Sequence, residues 1–242
     1  MNLVMILINF TEQGAIDLSK RNWHEKLGRS ISADEWYRNY IADIPRCKVC
    51  NNILSFIAVA NNNRTTHFRH PENSGCPTIG YNHSHFANLR PTEQDESNAL
   101  YLKNWVLENG YLLYRQFCGI LGGSIKYPEF TEILIAANNR KCWYYVGLTI
   151  DILPYTLLVN YGVFQKEKGR RGREQRVFLA FDSTITTYEQ LWNSPSAAAE
   201  NVFRIYPDSQ EYEVIPIGDI GIIGNTDPPG YFQRYLDKSY LR

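Results

Sequence analysis

Cys47-Lys-Val-Cys50, His67-Phe-Arg-His70 and Cys76 put three of the five cysteines and two of the five histidines into one short stretch. A Cys-x2-Cys knuckle sets two thiolates on one tight turn, at the separation that tetrahedral Zn²⁺ needs, and a second Cys/His cluster on a later turn completes four ligands. Residues 51–66 between the clusters are long enough for a small hairpin. The spacing therefore predicts a structural zinc site built from four of the five residues Cys47, Cys50, His67, His70 and Cys76. His70 with Cys76 makes one suitable second knuckle, and His67 with His70 makes another; both stay open. His83 and His85, in Asn-His-Ser-His-Phe, read as loop histidines held in reserve. A disulfide framework fits poorly, because the cysteine count is odd and no secretory signal precedes it.

Catalytic zinc needs an open coordination position and a nearby general base. His70-Pro-Glu72 has the His-x-Glu spacing, but no Pro-Cys-x-x-Cys follows it, so the full deaminase pattern is absent. His24-Glu25 lacks the second histidine that a metalloprotease helix carries. A closed structural site is the simpler expectation.

The elements that must position these ligands follow from texture. The apolar Met1–Phe10 reads as a buried strand rather than a signal peptide. Ser32 before Ala33, Asp34 and Glu35 is a helix N-cap signature, and Pro45 ends that segment. Residues 1–90 are expected to form an N-terminal unit with a zinc ribbon at 47–76, and residues 91–242 a second unit. In the latter, a helix from about Thr92 is predicted to close at Asn109-Gly110. Strands are predicted at Tyr111–Phe117, Glu132–Ala137, Cys142–Ile150, Tyr155–Phe164 and Arg176–Phe181, all rich in aromatic and β-branched residues. A short helix at Tyr188–Trp192 and strands at Val202–Tyr206 and Tyr212–Ile217 complete an α+β fold.

The 242 residues carry 25 basic and 25 acidic side chains, so no global field advertises nucleic acid. Hydrophobic content of 44 % belongs to a folded chain. No apolar run is long enough to span a membrane. Unpaired thiols and no export signal point to the cytoplasm. The local exception in charge is Gln165–Arg176, where Lys166, Lys168, Arg170, Arg171, Arg173 and Arg176 surround two glycines. Such a hairpin tip can track phosphates, so these six are the candidate nucleic-acid contacts; an acidic protein surface is the competing partner.

The ribbon ligands Cys47, Cys50, His67-Phe68 and His70, followed by Glu96-Ser97 and Lys103, resemble the CoiA-like competence-protein family. The likeness covers residues 45–150. It implies a zinc ribbon joined to a domain of the restriction-endonuclease-like, PD-(D/E)xK type, and work in bacterial DNA processing or defence. Leu100 stands where the family helix carries histidine. Such nucleases also need a second acid with a Lys or Gln companion on the strand after the first acid. Glu132 can be the first, but Trp143–Asp151 supplies no such pair. The expectation is a degenerate nuclease core with no catalytic residues; an active metal-dependent nuclease would have to draw on Glu96, Glu132 and Asp151.

Overall fold

A computed structural model of the chain describes residues 21–57, 66–79, 82, 84–167, 172–193, 200–208, 211–218 and 227–236. The strand expected at Met1–Phe10 lies outside the described residues, as do His83, Lys168, Arg170 and Arg171.

Strands β1 (Arg21–His24) and β2 (Arg29–Ser32) form an antiparallel hairpin. Ser32 ends β2 and caps helix α1 (Ala33–Asn39), its Oγ accepting from the Glu35 amide at 3.0 Å, as the sequence signature predicts. α1 turns Trp36 inward, where its ring meets Phe68 edge-on. Strands β3 (Ser55–Ile57) and β4 (His67–Arg69) pair antiparallel with Phe56 opposite Phe68.

Helix α2 (Ser84–Asn88) is short. Helix α3 (Glu96–Leu121) starts at Asp95, whose side chain accepts from the Asn98 amide. It does not stop at Asn109-Gly110. Asn109 leaves helical geometry (φ −116°, ψ 21°) and bends the axis, and the helix runs on through the segment expected as the strand Tyr111–Phe117. The buried Leu113, Phe117, Ile120 and Leu121 explain why, since that spacing covers one side of a helix and not one face of a strand. Gly122, at φ 68°, provides the actual stop.

Helix α4 (Tyr127–Asn139) replaces the strand expected at Glu132–Ala137; its buried Phe130, Ile133, Leu134 and Ala137 recur at helical spacing. Residues 142–150 make a 3-10 turn (Cys142–Tyr144) and loop rather than a strand. Helix α5 (Leu153–Tyr161), expected to be strand, is buried on every side from Leu153 to Asn160. A helix covered all round has no polar stripe, so its sequence carries no 3.6-residue period to announce it.

The sheet begins later than the sequence suggests. β5 (Val163–Phe164), β6 (Val177–Phe181), β7 (Asn201–Tyr206) and β8 (Glu211–Pro216) form an antiparallel meander in that order, with helix α6 (Gln190–Asn193) between β6 and β7. The C-terminal 3-10 turn Phe232–Leu236 drops Phe232 among Tyr111, Tyr114, Tyr127 and Phe130 of α3 and α4. The fold mixes helix and sheet, α+β as expected. Neither candidate acid stands on a strand: Glu132 sits on α4 and Asp151 on the turn before α5.

The buried apolar residues from Ile31 to Leu236 form one continuous cluster. α2 belongs to it, because the Phe86 carbonyl accepts from Tyr188 Oη at 2.9 Å and from Asn160 Nδ2 at 3.5 Å. No helix among the described residues is long and apolar enough to cross a membrane.

Candidate metal centre

The first pair of ligands stands on a tight hairpin. The Leu54 amide donates to Pro45 O, Cys47 N to Asn52 O, and Asn51 N to Cys47 O at 2.7 Å. Asn51 takes the left-handed conformation (φ 56°), which asparagine tolerates better than most residues. The turn aims Cys47 and Cys50 the same way.

The second pair is selected by strand parity. Along β4 and the residue after it, exposure alternates: His67 half-buried, Phe68 buried, Arg69 exposed, His70 buried. Side chains on a strand alternate between faces, so residues three apart point in opposite directions. His70 faces inward with Phe68, and His67 faces outward. The chain then turns at Asn73 (φ 61°), and Cys76 returns to the site, its amide donating to Ser74 Oγ at 3.3 Å. Asn82 Nδ2 ties down the Ser74 and Cys76 carbonyls at 2.6 and 2.9 Å.

The ligand atoms of Cys47, Cys50, His70 and Cys76 all lie within 4.8 Å of one another. Cys47 Sγ and Cys76 Sγ are 3.7 Å apart. Two thiolates on one tetrahedral zinc, each about 2.3 Å from it, stand about 3.8 Å apart, so the spacing fits that ion. Cys47, His70 and Cys76 are buried, while Cys50 is half-buried and forms the outer wall. The Thr78 hydroxyl lies 3.0 Å from Cys76 Sγ.

The three sulfurs share their protons unequally. Hydrogen bonds from Cys47, then Cys76, hold the Cys50 thiol far below the ordinary range, whereas Cys47 and Cys50 push the Cys76 thiol far above it. One thiolate is favoured among three sulfurs and further ones are repelled; a divalent ion removes the repulsion. Tyr212 of β8 packs beside the centre, its phenol pushed up by burial and then by the Cys47 sulfur.

Other candidate residues are scattered. Glu96 is exposed in the first turn of α3, and Asp151 is exposed. Glu132 accepts from Tyr161 Oη at 3.2 Å; burial, then the Glu132 charge, pushes that phenol up to about 12. Among the described residues, no second group of three or more His, Cys, Asp or Glu side chains could hold a metal ion. Glu96, Glu132 and Asp151 therefore do not assemble into a nuclease centre. Ser97 donates to the capping Asp95 at 2.6 Å, and Lys103 is buried against the Tyr144 ring.

The basic loop connects β5 to β6, and two of its six cations serve the fold. Arg173 is 5 % exposed: Nη2 reaches both oxygens of Glu129 at 2.8 and 2.9 Å, and other nitrogens donate to the Ser124 and Gln165 carbonyls. It is a clamp between the loop and α4, not a phosphate contact. Arg176 forks onto Asp208 at 2.5 and 2.8 Å. Lys166 is exposed, and Lys126 pairs with Glu167 at the loop's base. Nothing local in the sequence marks Arg173, because Glu129 lies 44 residues away. The Thr78 contact was more accessible, since a hydroxyl two residues after a cysteine can reach its sulfur.

Compared with protein-family models, curated proteins and solved structures, the chain matches none.

Proposed function

We propose that Cys47, Cys50, His70 and Cys76 hold one structural Zn²⁺, and that the protein is a metal-stapled, nucleic-acid-associated factor of bacterial DNA processing or defence without a catalytic centre of its own. The four converging ligand atoms carry this reading. Three thiolates and an imidazole suit zinc among the common divalent ions, and four protein ligands leave no position for substrate or activated water. Free thiols suit a reducing, cytoplasmic setting.

The nucleic-acid part is supported by the β5–β6 loop, whose base Arg173 fixes against α4 and whose sequence adds Lys168, Arg170 and Arg171 to the exposed Lys166. The ribbon-and-helix likeness to CoiA-like proteins supports the same setting.

The experiment is metal analysis of protein purified without chelator, followed by binding of single-stranded and duplex oligonucleotides across a salt series. About one zinc per chain and salt-dependent binding are expected. Fully folded protein without metal would refute the zinc assignment, and no binding at low salt would refute the nucleic-acid assignment. Replacing Arg170 and Arg171 together should flatten the duplex salt slope by about 1.8 units.

A further inference from the structure

The two faces of the metal ribbon differ. Leu54, Phe56, Phe68 and His70 turn inward. Ile53, Ser55, Ile57, His67 and Arg69 turn outward, and Arg46 joins them directly opposite Ile53. Ile53 is 49 % exposed, and Arg46, Ser55 and Arg69 are exposed beside it. From Ile44 to Pro71 the sequence contains no Asp or Glu, yet it holds Arg46, Lys48, Arg64 and Arg69. The chain as a whole is neutral, so this stretch is a local cationic unit. A zinc ion with three thiolates and a neutral imidazole would return only one negative charge, behind the inner face. Glu72, just beyond the stretch, pairs with Arg69 at 3.6 Å and is 85 % exposed. Such an open ion pair is weak, and a phosphate can displace it.

We propose that this outer face binds single-stranded nucleic acid, with Arg46 and Arg69 contacting phosphates and bases lying over Ile53, Ile57 and the His67 ring. The inference rests on the nucleic-acid reading above and deepens it. A duplex hides its base faces and shows only base edges in its grooves, so the isoleucines would find little apolar surface there. A single strand offers base faces that pack on apolar side chains, imidazole and guanidinium planes. Outward side chains on a strand recur about every 7 Å, a stride that extended nucleotides can follow.

The test uses the metal-loaded full chain, a fluorescent oligothymidylate and a duplex of equal length, with anisotropy read across a salt series. Arg46→Gln with Arg69→Gln should weaken oligothymidylate binding about ten-fold and flatten its salt slope by about 1.4 units, with metal content and melting temperature unchanged. Ile53→Ser should weaken the single strand and spare the duplex. Should the double variant lose metal, because Arg46 also donates to the Asn51 carbonyl, Arg69→Gln alone carries the test with half the slope change. Parent-like affinity and slope in a folded variant overturn this inference and leave the nucleic-acid reading intact. A parent that binds neither oligonucleotide overturns both. A parent that prefers the duplex overturns the single-strand assignment.

Discussion

Five candidate ligands were legible from residue type and spacing alone, because few roles other than metal binding gather three cysteines and two histidines so closely. Which histidine belongs was not legible, since it depends on His67–Arg69 being strand rather than turn. Parity then assigns His70. His70→Ala should bring zinc well below one per chain, whereas His67→Ala should retain it; equal losses in metal analysis would refute the assignment. Arg173 shows the converse limit, because a cation inside a charged run looks solvated until a distant carboxylate is folded against it. Arg173→Ala strands Glu129 in a largely buried position and should cost about 3 kcal/mol in denaturant unfolding. Arg176→Ala breaks an exposed pair and should cost under about 1 kcal/mol.

At the level of elements, the sequence is legible where a cap signature or a short β-branched and aromatic run marks the segment. The α1 cap, β6, β7 and β8 lie where their patterns put them. The errors fall on α3 beyond Asn109, on α4, on residues 142–150 and on α5, where aromatic and β-branched residues suggested strands. Composition outweighed periodicity there, and α5 offers no periodicity to weigh. Asn109-Gly110 resembled a stop, but Gly110 serves close packing instead: the Leu236 side chain lies where a β-carbon would stand. The true stop at Gly122 combines a left-handed backbone with the Arg204 guanidinium packed against its α-carbon. Gly122→Ala should therefore cost more than the roughly 1 kcal/mol of a left-handed alanine. Gly28→Ala, left-handed with open space around it, is the control and should cost about that amount alone. Equal melting-temperature shifts in the two variants would show that the Arg204 packing is irrelevant.

For the whole molecule, the candidate metal centre and the helical core are parts of one packed body, since the buried Cys47, Phe68 and Cys76 belong to the same apolar cluster as the helices. Metal loss should be felt beyond residue 90. Chelator is expected to lower the melting temperature and expose backbone amides of β8 as well as β3 and β4, read by hydrogen exchange. Acid should act in the same direction: thiolate ligands take up protons as pH falls, so the metal-bound state loses stability on the acid side and keeps it on the alkaline side. A melting temperature insensitive to chelator and to mild acid would refute a stabilising metal. With Glu96, Glu132 and Asp151 apart, no cleavage of DNA or RNA in Mg²⁺ or Mn²⁺ is expected. Cleavage abolished by Glu132→Ala or Asp151→Ala in a folded variant would reverse that conclusion.

The carbonyl of Phe86 has a temporal consequence. Its partners, Asn160 and Tyr188, lie 74 and 102 residues further along the chain. At ribosomal speeds of about 5–20 residues per second, α2 waits several seconds for them. The four proposed metal ligands are all synthesised by Cys76. The nascent chain can thus capture its ion and fix the ribbon first, and the finished ribbon then holds α2 close to where the later helices and strands close around it. If these residues hold an ion as proposed, metal supplied during translation is expected to give more correctly closed protein than metal added afterwards.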